Sequence, residues 1–498
     1  MRAYDALKEY MDRAMAIKTA MTLFEWDNET LAPRQAGPLT AEVIGSLSGE
    51  YFSILTGGEF GTLLAVCREG NEELTEAEAA NVRELAEELE RIKCIPREEY
   101  QAFARLTAQA GAVWAQAKKD RNFAAFAPTL SAIIQYQKKF AGYRAKQGEA
   151  LYDVMLEEYE KGFSMKNLDV FFGQIKEEVA PFLQQIQVKG RRIDDSFLKG
   201  DYPADKQEKL ARFLAEYAGF DFEKGVLGVS AHPFTTNLHN RDVRITTHYT
   251  DRVDSSLFSV IHEAGHGIYE MGIRDDLTLT PAGQGASMGM HESQSRFFEN
   301  MIGRSPFFWM PIYEKLRALF PDELGEIPRE AFVAAVNKVE PGLIRTEADE
   351  LTYSLHVLIR YEIEKLLIEE DMDVRDIPQV WADKYEKYLG LRPSHDGEGA
   401  LQDIHWAQGA FGYFPSYALG SAFGAQIYFH MRKEMDFDGL LERGELRVIR
   451  EYLREHIHQY GKLKTSRQLL MDMTGEDFNP DYYVRYLLEK YRGIYRVR

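Results

Sequence analysis

Asp254-Ser255-Ser256-Leu257-Phe258-Ser259-Val260-Ile261-His262-Glu263-Ala264-Gly265-His266-Gly267-Ile268 is the stretch on which the reading of this chain turns. Leu257, Val260, Ile261, Ala264 and Ile268 recur at steps of three and four, which predicts a helix with one buried stripe. Asp254, Ser255 and Ser256 stand where an N-terminal cap belongs, and Gly272 where a helix ends. Two histidines four apart lie one turn apart on the same face. Each can offer an imidazole nitrogen to a single Zn²⁺, and Glu263 beside the first can reach a water on that ion. The plain alternative is a surface helix that happens to carry two histidines. With 12 histidines in 498 residues, a chance match somewhere in the chain has a probability of roughly a few per cent. The apolar flanks weigh against it, because unpaired imidazoles on a buried helix are costly.

A catalytic zinc site has three protein ligands and an open position. The first candidate for the third ligand is Glu292, in Met290-His291-Glu292-Ser293-Gln294-Ser295-Arg296. The interval after His266 is long enough for one helix to end, a glycine-containing turn to form and a second helix to run back alongside. His291 next door competes for the same role. The structural alternative for Glu292 is an i,i+4 ion pair with Arg296.

Composition narrows the function classes. Hydrophobic residues make up 45% and charged residues 28%, as in an ordinary soluble globular protein, and the net charge of −19 speaks against nucleic acid or an anionic membrane as the partner. The two cysteines, Cys67 and Cys94, lie in no CxxC pair. They fit a reducing cytoplasm and exclude a disulfide framework. No run of about 18 apolar residues occurs, so no membrane span is expected, and the N-terminus reads as an amphipathic helix without an apolar signal core.

Most of the chain reads as helix: Tyr4 to Trp26, Leu74 to Lys93, a helix opened by Pro96, Phe123 to Tyr143, Asn167 to Gln187 and Asp205 to Tyr217. Asp242-Val243-Arg244-Ile245-Thr246-Thr247-His248-Tyr249 alternates and reads as a strand. Val243 and Ile245 fall on one face, with Asp242, Arg244 and Thr246 on the other. Such an edge could line a cleft beside the zinc helix, or simply carry a polar stripe to solvent. Gly283-Gln284-Gly285 with Gly289 lacks the spacing of a phosphate cradle and is expected to be a flexible turn.

Six motifs occur in order: His232-Pro233-Phe234, Asp242-x-Arg244-x-Thr246, His262-Glu263-x-x-His266, His291-Glu292-Ser293-Gln294, Ile344-Arg345-x-x-Ala348-Asp349 and Gly399-x-x-Gln402-Asp403-x-His405-Trp406. Phe411-Gly412-Tyr413-Phe414-Pro415-Ser416-Tyr417 follows them. Together they closely resemble the signatures of the carboxypeptidase Taq family of zinc metallocarboxypeptidases. The resemblance implies a mainly α fold of the neurolysin and angiotensin-converting-enzyme type. In that fold two helical halves flank a deep substrate groove, with a small β-sheet near the zinc site. It implies one catalytic unit over residues 1–498, with a helical N-terminal part (about 1–200) and a zinc-bearing part (about 201–498). In that pattern His262, His266 and Glu292 hold one ion per chain, Zn²⁺ with Co²⁺ as an alternative. Family members are cytoplasmic homodimers that remove single C-terminal residues from peptides with broad specificity, disfavouring proline.

The chemistry expected of such a site is Glu-assisted attack of water. Glu263 takes the proton and returns it to the leaving amine. A further donor should share the oxyanion charge, a role first given to Tyr413 and second to His405. Tyr413 could instead be an aromatic packing residue. The partner is a peptide with a free C-terminal carboxylate, which suits the planar fork of arginine. Arg244 and Arg345 are the candidates, unless they sit in structural ion pairs such as Arg345 with Asp349. His232 and Gln402 could bind the terminal residue, and Asp403 reads as a supporting carboxylate. A dipeptidyl carboxypeptidase or oligopeptidase on the same fold is the alternative enzyme. A helical binding protein with a structural metal is the alternative class, and it is weakened by the absence of a Cys-rich ligand set.

Overall fold

Leu7, Met11 and Ala14 recur at helical spacing, and in the computed structural model they line the buried side of the helix Ala3–Thr30, against Ile54, Phe60, Leu64 and Leu85. The structure describes residues 2–33, 35–70 and 73–497. It is mainly helical, with one small sheet, as the motifs imply. The chain forms two compact units. One comprises Met1–Ile92, Asp194–Val336 and Ile427–Asp477, the other Lys93–Ile193, Asn337–Gln426 and Phe478–Arg498.

The first unit carries the motif helix, Val253–Gly272, and the sheet. Strands β1 (Gly225–Val229), β2 (Thr235–His239) and β3 (Asp242–Thr247) lie in the order β1-β3-β2, with β3 parallel to β1 and antiparallel to β2. Val243 and Ile245 are fully buried on β3, and each contributes about 1.5–3 kcal/mol of apolar burial. The other face departs from the sequence reading at Thr246. That residue is fully buried, and its hydroxyl pairs with Ser230 (2.7 Å) and accepts the Phe234 amide (2.9 Å), tying the His232-Pro233-Phe234 loop to the sheet.

The motif helix begins one residue before Asp254. Its N-cap is Arg252, with no side-chain cap. Asp254, Ser255 and Ser256 therefore sit in the first turn and bond elsewhere: Asp254 to Arg252 (3.0 Å), Ser255 to His248 (2.6 Å) and Ser256 to Gln207 (2.7 Å). Gly272 is the last helical residue. The Gly283–Gly285 turn is there, but Gly285 N–H donates to the buried Glu270 carboxylate at 3.2 Å, so the turn is pinned.

Two glycines set the packing of this helix. A Cβ on Gly267 would lie 2.6 Å from the Phe220 ring and 3.3 Å from Ile245, so the missing side chain admits the sheet. A Cβ on Gly265 would lie 2.8 Å from both the Gln294 carbonyl oxygen and the Ser295 Cα. Only a glycine lets the backbone of the helix Met288–Arg296 approach so closely.

In the second unit the expected helix over 167–187 is a continuous run, Met165–Gln174, Ile175–Val179 and Ala180–Lys189, whose middle segment is π-helical. Pro181 follows that segment, and its missing N–H accounts for the widened turn. The helix Glu350–Glu369 is capped by Asp349, which accepts the amides of Leu351 and Thr352. Cys67 is buried and Cys94 half-buried. Among the described residues no helix is long and apolar enough to cross a membrane.

Candidate metal centre

His262 and His266 project from one face of the motif helix, with ring centroids 4.9 Å apart. Because Gly265 admits the neighbouring helix, Glu292 reaches them. Its Oε2 lies 3.5 Å from His266 Nε2 and 3.8 Å from His262 Nε2. The three donor atoms fall within 4.8 Å of one another. Donors of a tetrahedral zinc ion with bonds near 2.1 Å are separated by about 3.4 Å, close to the two distances that Glu292 makes.

The remaining ring nitrogens are engaged, which fits the residues to a metal. His262 Nδ1 lies 2.9 Å from Glu299, and His266 Nδ1 lies 2.5 Å from His291 Nδ1. Each imidazole therefore turns Nε2 toward Glu292, the orientation that outer partners impose on metal-binding histidines. His291, the competing ligand, stands behind His266, and its Nε2 meets Glu270 at 2.7 Å. The ion pair that could have explained Glu292 without a metal is also present: Arg296 Nε donates to Oε1 at 2.7 Å. One carboxylate oxygen serves Arg296 and the other faces the histidines, so the two readings coexist.

Glu299 escaped the sequence reading. It sits on the π-helical segment Phe297–Gly303 and accepts from Arg296 (3.1 Å) and Arg304 (3.1 Å) as well as facing His262. Its one trace in the sequence is spacing: Glu292, Arg296 and Glu299 fall on one helical face at i, i+4 and i+7, which does not tell that Glu299 faces His262. Burial alone would raise both carboxyls, but Arg296 and His262 hold Glu292, and Arg296 and Arg304 hold Glu299, well below the usual range. Burial and the adjacent His291 push His266 down to about 3, so its ring is neutral and able to coordinate. Burial raises Glu263, which fits a base that must take a proton, and its Oε2 accepts Thr235 Oγ1–H at 2.5 Å.

The other candidates divide between the units. Arg244 lies in the first, clasped by Asp242 (2.8 and 2.9 Å) over the Trp26 ring at 4.9 Å. His232 is exposed, and its carbonyl accepts from Ser230. Arg345 lies in the second, donating to Asp403 (2.9 Å) and Tyr353 (3.1 Å). The expected Asp349 partner is spent as a helix cap, and Asp403 replaces it. Asp403 also accepts from Arg360 (2.7 Å), a fully buried residue the sequence reading passed over. Gln402 Oε1 accepts Arg345 N–H (3.0 Å) and Arg360 Nη2 (2.7 Å), while its Nε2 donates to the Leu343 carbonyl (3.1 Å). His405 and Tyr413 stack at 5.4 Å, and Tyr417 lies 3.2 Å from His405 Nε2. Burial lowers His405 to about 4, leaving a neutral ring.

The sequence pattern of the carboxypeptidase Taq (M32) metallopeptidases matches residues 6–491. This chain belongs to the carboxypeptidase Taq (M32) family. Carboxypeptidase 1 of Bacillus subtilis is 41% identical over 493 residues, 98% of either chain. A solved Pyrococcus furiosus carboxypeptidase superposes with a TM-score of 0.94 at 35% identity, covering 99% of each chain. Trypanosoma cruzi metallocarboxypeptidase 1 superposes with a TM-score of 0.94 at 34% identity, covering 99% of this chain and 100% of the other. This M32 metallocarboxypeptidase is therefore a hydrolase that acts on peptides with a divalent ion, and His262, His266 and Glu292 are its candidate ligand group.

Proposed function

We propose that this M32 carboxypeptidase releases single C-terminal residues from peptides, with broad specificity and proline disfavoured, using Zn²⁺ (or Co²⁺), one ion per chain, held by His262, His266 and Glu292. The observation that carries the reading is the convergence of those three donors with both outer imidazole nitrogens engaged. The ion, when bound, polarises a water and the scissile carbonyl. Glu263 accepts the water's proton and delivers it to the departing amine; Thr235 holds one carboxylate oxygen, which leaves the other for that exchange. A phenol or neutral imidazole sharing the oxyanion charge is worth roughly 3 kcal/mol. Tyr413 takes that part, with His405 oriented against it.

The substrate's terminal carboxylate is bound by Arg244 in preference to Arg345. Both pair with an aspartate, but the Arg244 side chain is 20% exposed and that of Arg345 only 6%. His232 contributes a donor to the terminal residue. Gln402 acts by holding Arg345, because its amide is committed at both ends. The presence of only two cysteines in 498 residues supports a cytoplasmic setting, and the family resemblance supports a homodimer. Time-resolved mass spectrometry of a defined peptide tests the reading. Successive single-residue losses support it, whereas dipeptide losses or internal cuts replace it with a dipeptidyl carboxypeptidase or oligopeptidase.

A further inference from the structure

Strand β2 is the edge of the sheet, and its two inward residues each reach a different carboxylate on the motif helix. Thr235 and Asn237 pair across the sheet with Ile245 and Val243, and being two apart they share a face. Thr235 Oγ1 donates to Glu263 Oε2 at 2.5 Å. Asn237 Nδ2 donates to Glu270 Oε2. Glu263 and Glu270 are seven apart, two turns along one helical face. Glu270 faces His291 at 2.7 Å, and His291 faces His266 at 2.5 Å.

We propose that β2 is a two-armed positioning strand. Thr235 aims the general base, and Asn237, through Glu270 and His291, aims the imidazole of His266. This rests on the assignment of Glu263 as base and His266 as ligand given above. Without a partner, Glu263 could rotate, and both its oxygens would compete for the attacking water's proton. The Thr235 hydroxyl removes that freedom by fixing Oε2, so Oε1 is the oxygen presented. Asn237 acts one link further out, where a lost partner loosens a metal ligand and leaves the base in place. Register makes the device strict: a slip of one residue would turn both side chains to the opposite face.

The two arms carry different signatures, which a merely structural strand would not. Thr235→Val keeps the shape and removes the hydroxyl. It should lower kcat about tenfold or more with KM little changed, bind the ion as tightly as the parent protein in chelator competition, and regain most of its rate as Thr235→Ser. Asn237→Ala should weaken the ion in the same competition by about 10–100-fold, with a smaller loss of kcat at saturating metal than Thr235→Val. Thr235→Ala carries the same expectation if the valine variant does not fold. Unchanged kcat in Thr235→Val, or parallel losses of rate and metal affinity in both variants, overturns the proposal. Full turnover in metal-replete Glu263→Gln overturns the base assignment itself, and the Thr235 arm with it. Loss of turnover there with an unaffected Thr235→Val isolates the failure to this proposal.

Discussion

Gly265 faces the backbone of Gln294 so closely that a single added methyl would stand 2.8 Å from its carbonyl oxygen. That contact is between main chains, so no side-chain rotation can relieve it. Gly265→Ala should push the helix Met288–Arg296 outward and carry Glu292 away from His262 and His266. The expected result is metal affinity lower by tenfold or more, with about 1–3 kcal/mol of overpacking strain. Isothermal metal titration and denaturant unfolding read the two effects. A variant that binds its ion normally would show that helix spacing does not set the site.

Glu263 is expected to be dispensable for metal and fold but not for turnover. Glu263→Gln keeps size and burial while removing the proton acceptor. Its kcat should fall by about 10²–10⁴-fold, the usual worth of a general base, with one ion per chain retained by elemental analysis. Appreciable hydrolysis by the metal-replete variant would assign the proton to another group.

Exhaustive chelation should abolish peptide trimming, and Zn²⁺ or Co²⁺ should restore it. Glu292→Ala should not be restored at the same metal concentration, because it leaves two imidazoles and no carboxylate. Trimming that persists after the ion is gone, measured by amino-acid release, would remove the metal from the reaction.

The carboxylate anchor is testable with paired peptides that differ only in a C-terminal amide. The parent enzyme should prefer the free acid strongly. Arg244→Ala should cut kcat/KM for the free acid to near the amide's level, whereas a variant that keeps the preference would shift the anchor to Arg345.

Glu364, in the second unit, gives a stability signature of its own. It is fully buried, accepts from Trp406 (2.8 Å), Tyr152 (2.7 Å) and Gly412 N–H (2.9 Å), and burial lifts its carboxyl from 4.5 to about 7. Its folded pKa lies above the unfolded one, so the native state binds more protons between those values. Its contribution to stability therefore falls as pH rises from about 4.5 to 7. Glu364→Gln should remove that slope, so the stability difference between variant and parent moves in the variant's favour by up to about 3 kcal/mol across the window. Denaturant melts at pH 5 and pH 7.5 measure it; an unchanged difference would mean the carboxyl titrates normally.

The helices were legible because their apolar residues repeat at helical spacing: Leu7, Met11 and Ala14 declare the buried side of Ala3–Thr30. The candidate ligands were legible because His262 and His266 are local in sequence and Glu292 sits in a motif of its own. Glu299, Thr235 and Asn237 were not. Each acts through a contact made by folding, from a π-helical segment or a strand edge, and a threonine or asparagine in a strand announces nothing about what it will face. Arg345 shows the same limit: sequence offered Asp349 at helical spacing, but that carboxylate was taken by backbone amides and the partner came from Asp403, 58 residues on.

By itself, then, the sequence determined a helical hydrolase of the carboxypeptidase Taq (M32) type and singled out His262, Glu263, His266 and Glu292 as its candidate reactive set, since periodicity and motif spacing are properties of the linear chain. Tertiary structure alone decided which nitrogen of each imidazole faces the metal position, which carboxylate oxygen is free, and which arginine is buried in a pair. It also decided that each compact unit is assembled from three separated stretches. Hydrogen bonds and ion pairs act over a few ångströms of space, and only packing brings together groups that the chain keeps far apart.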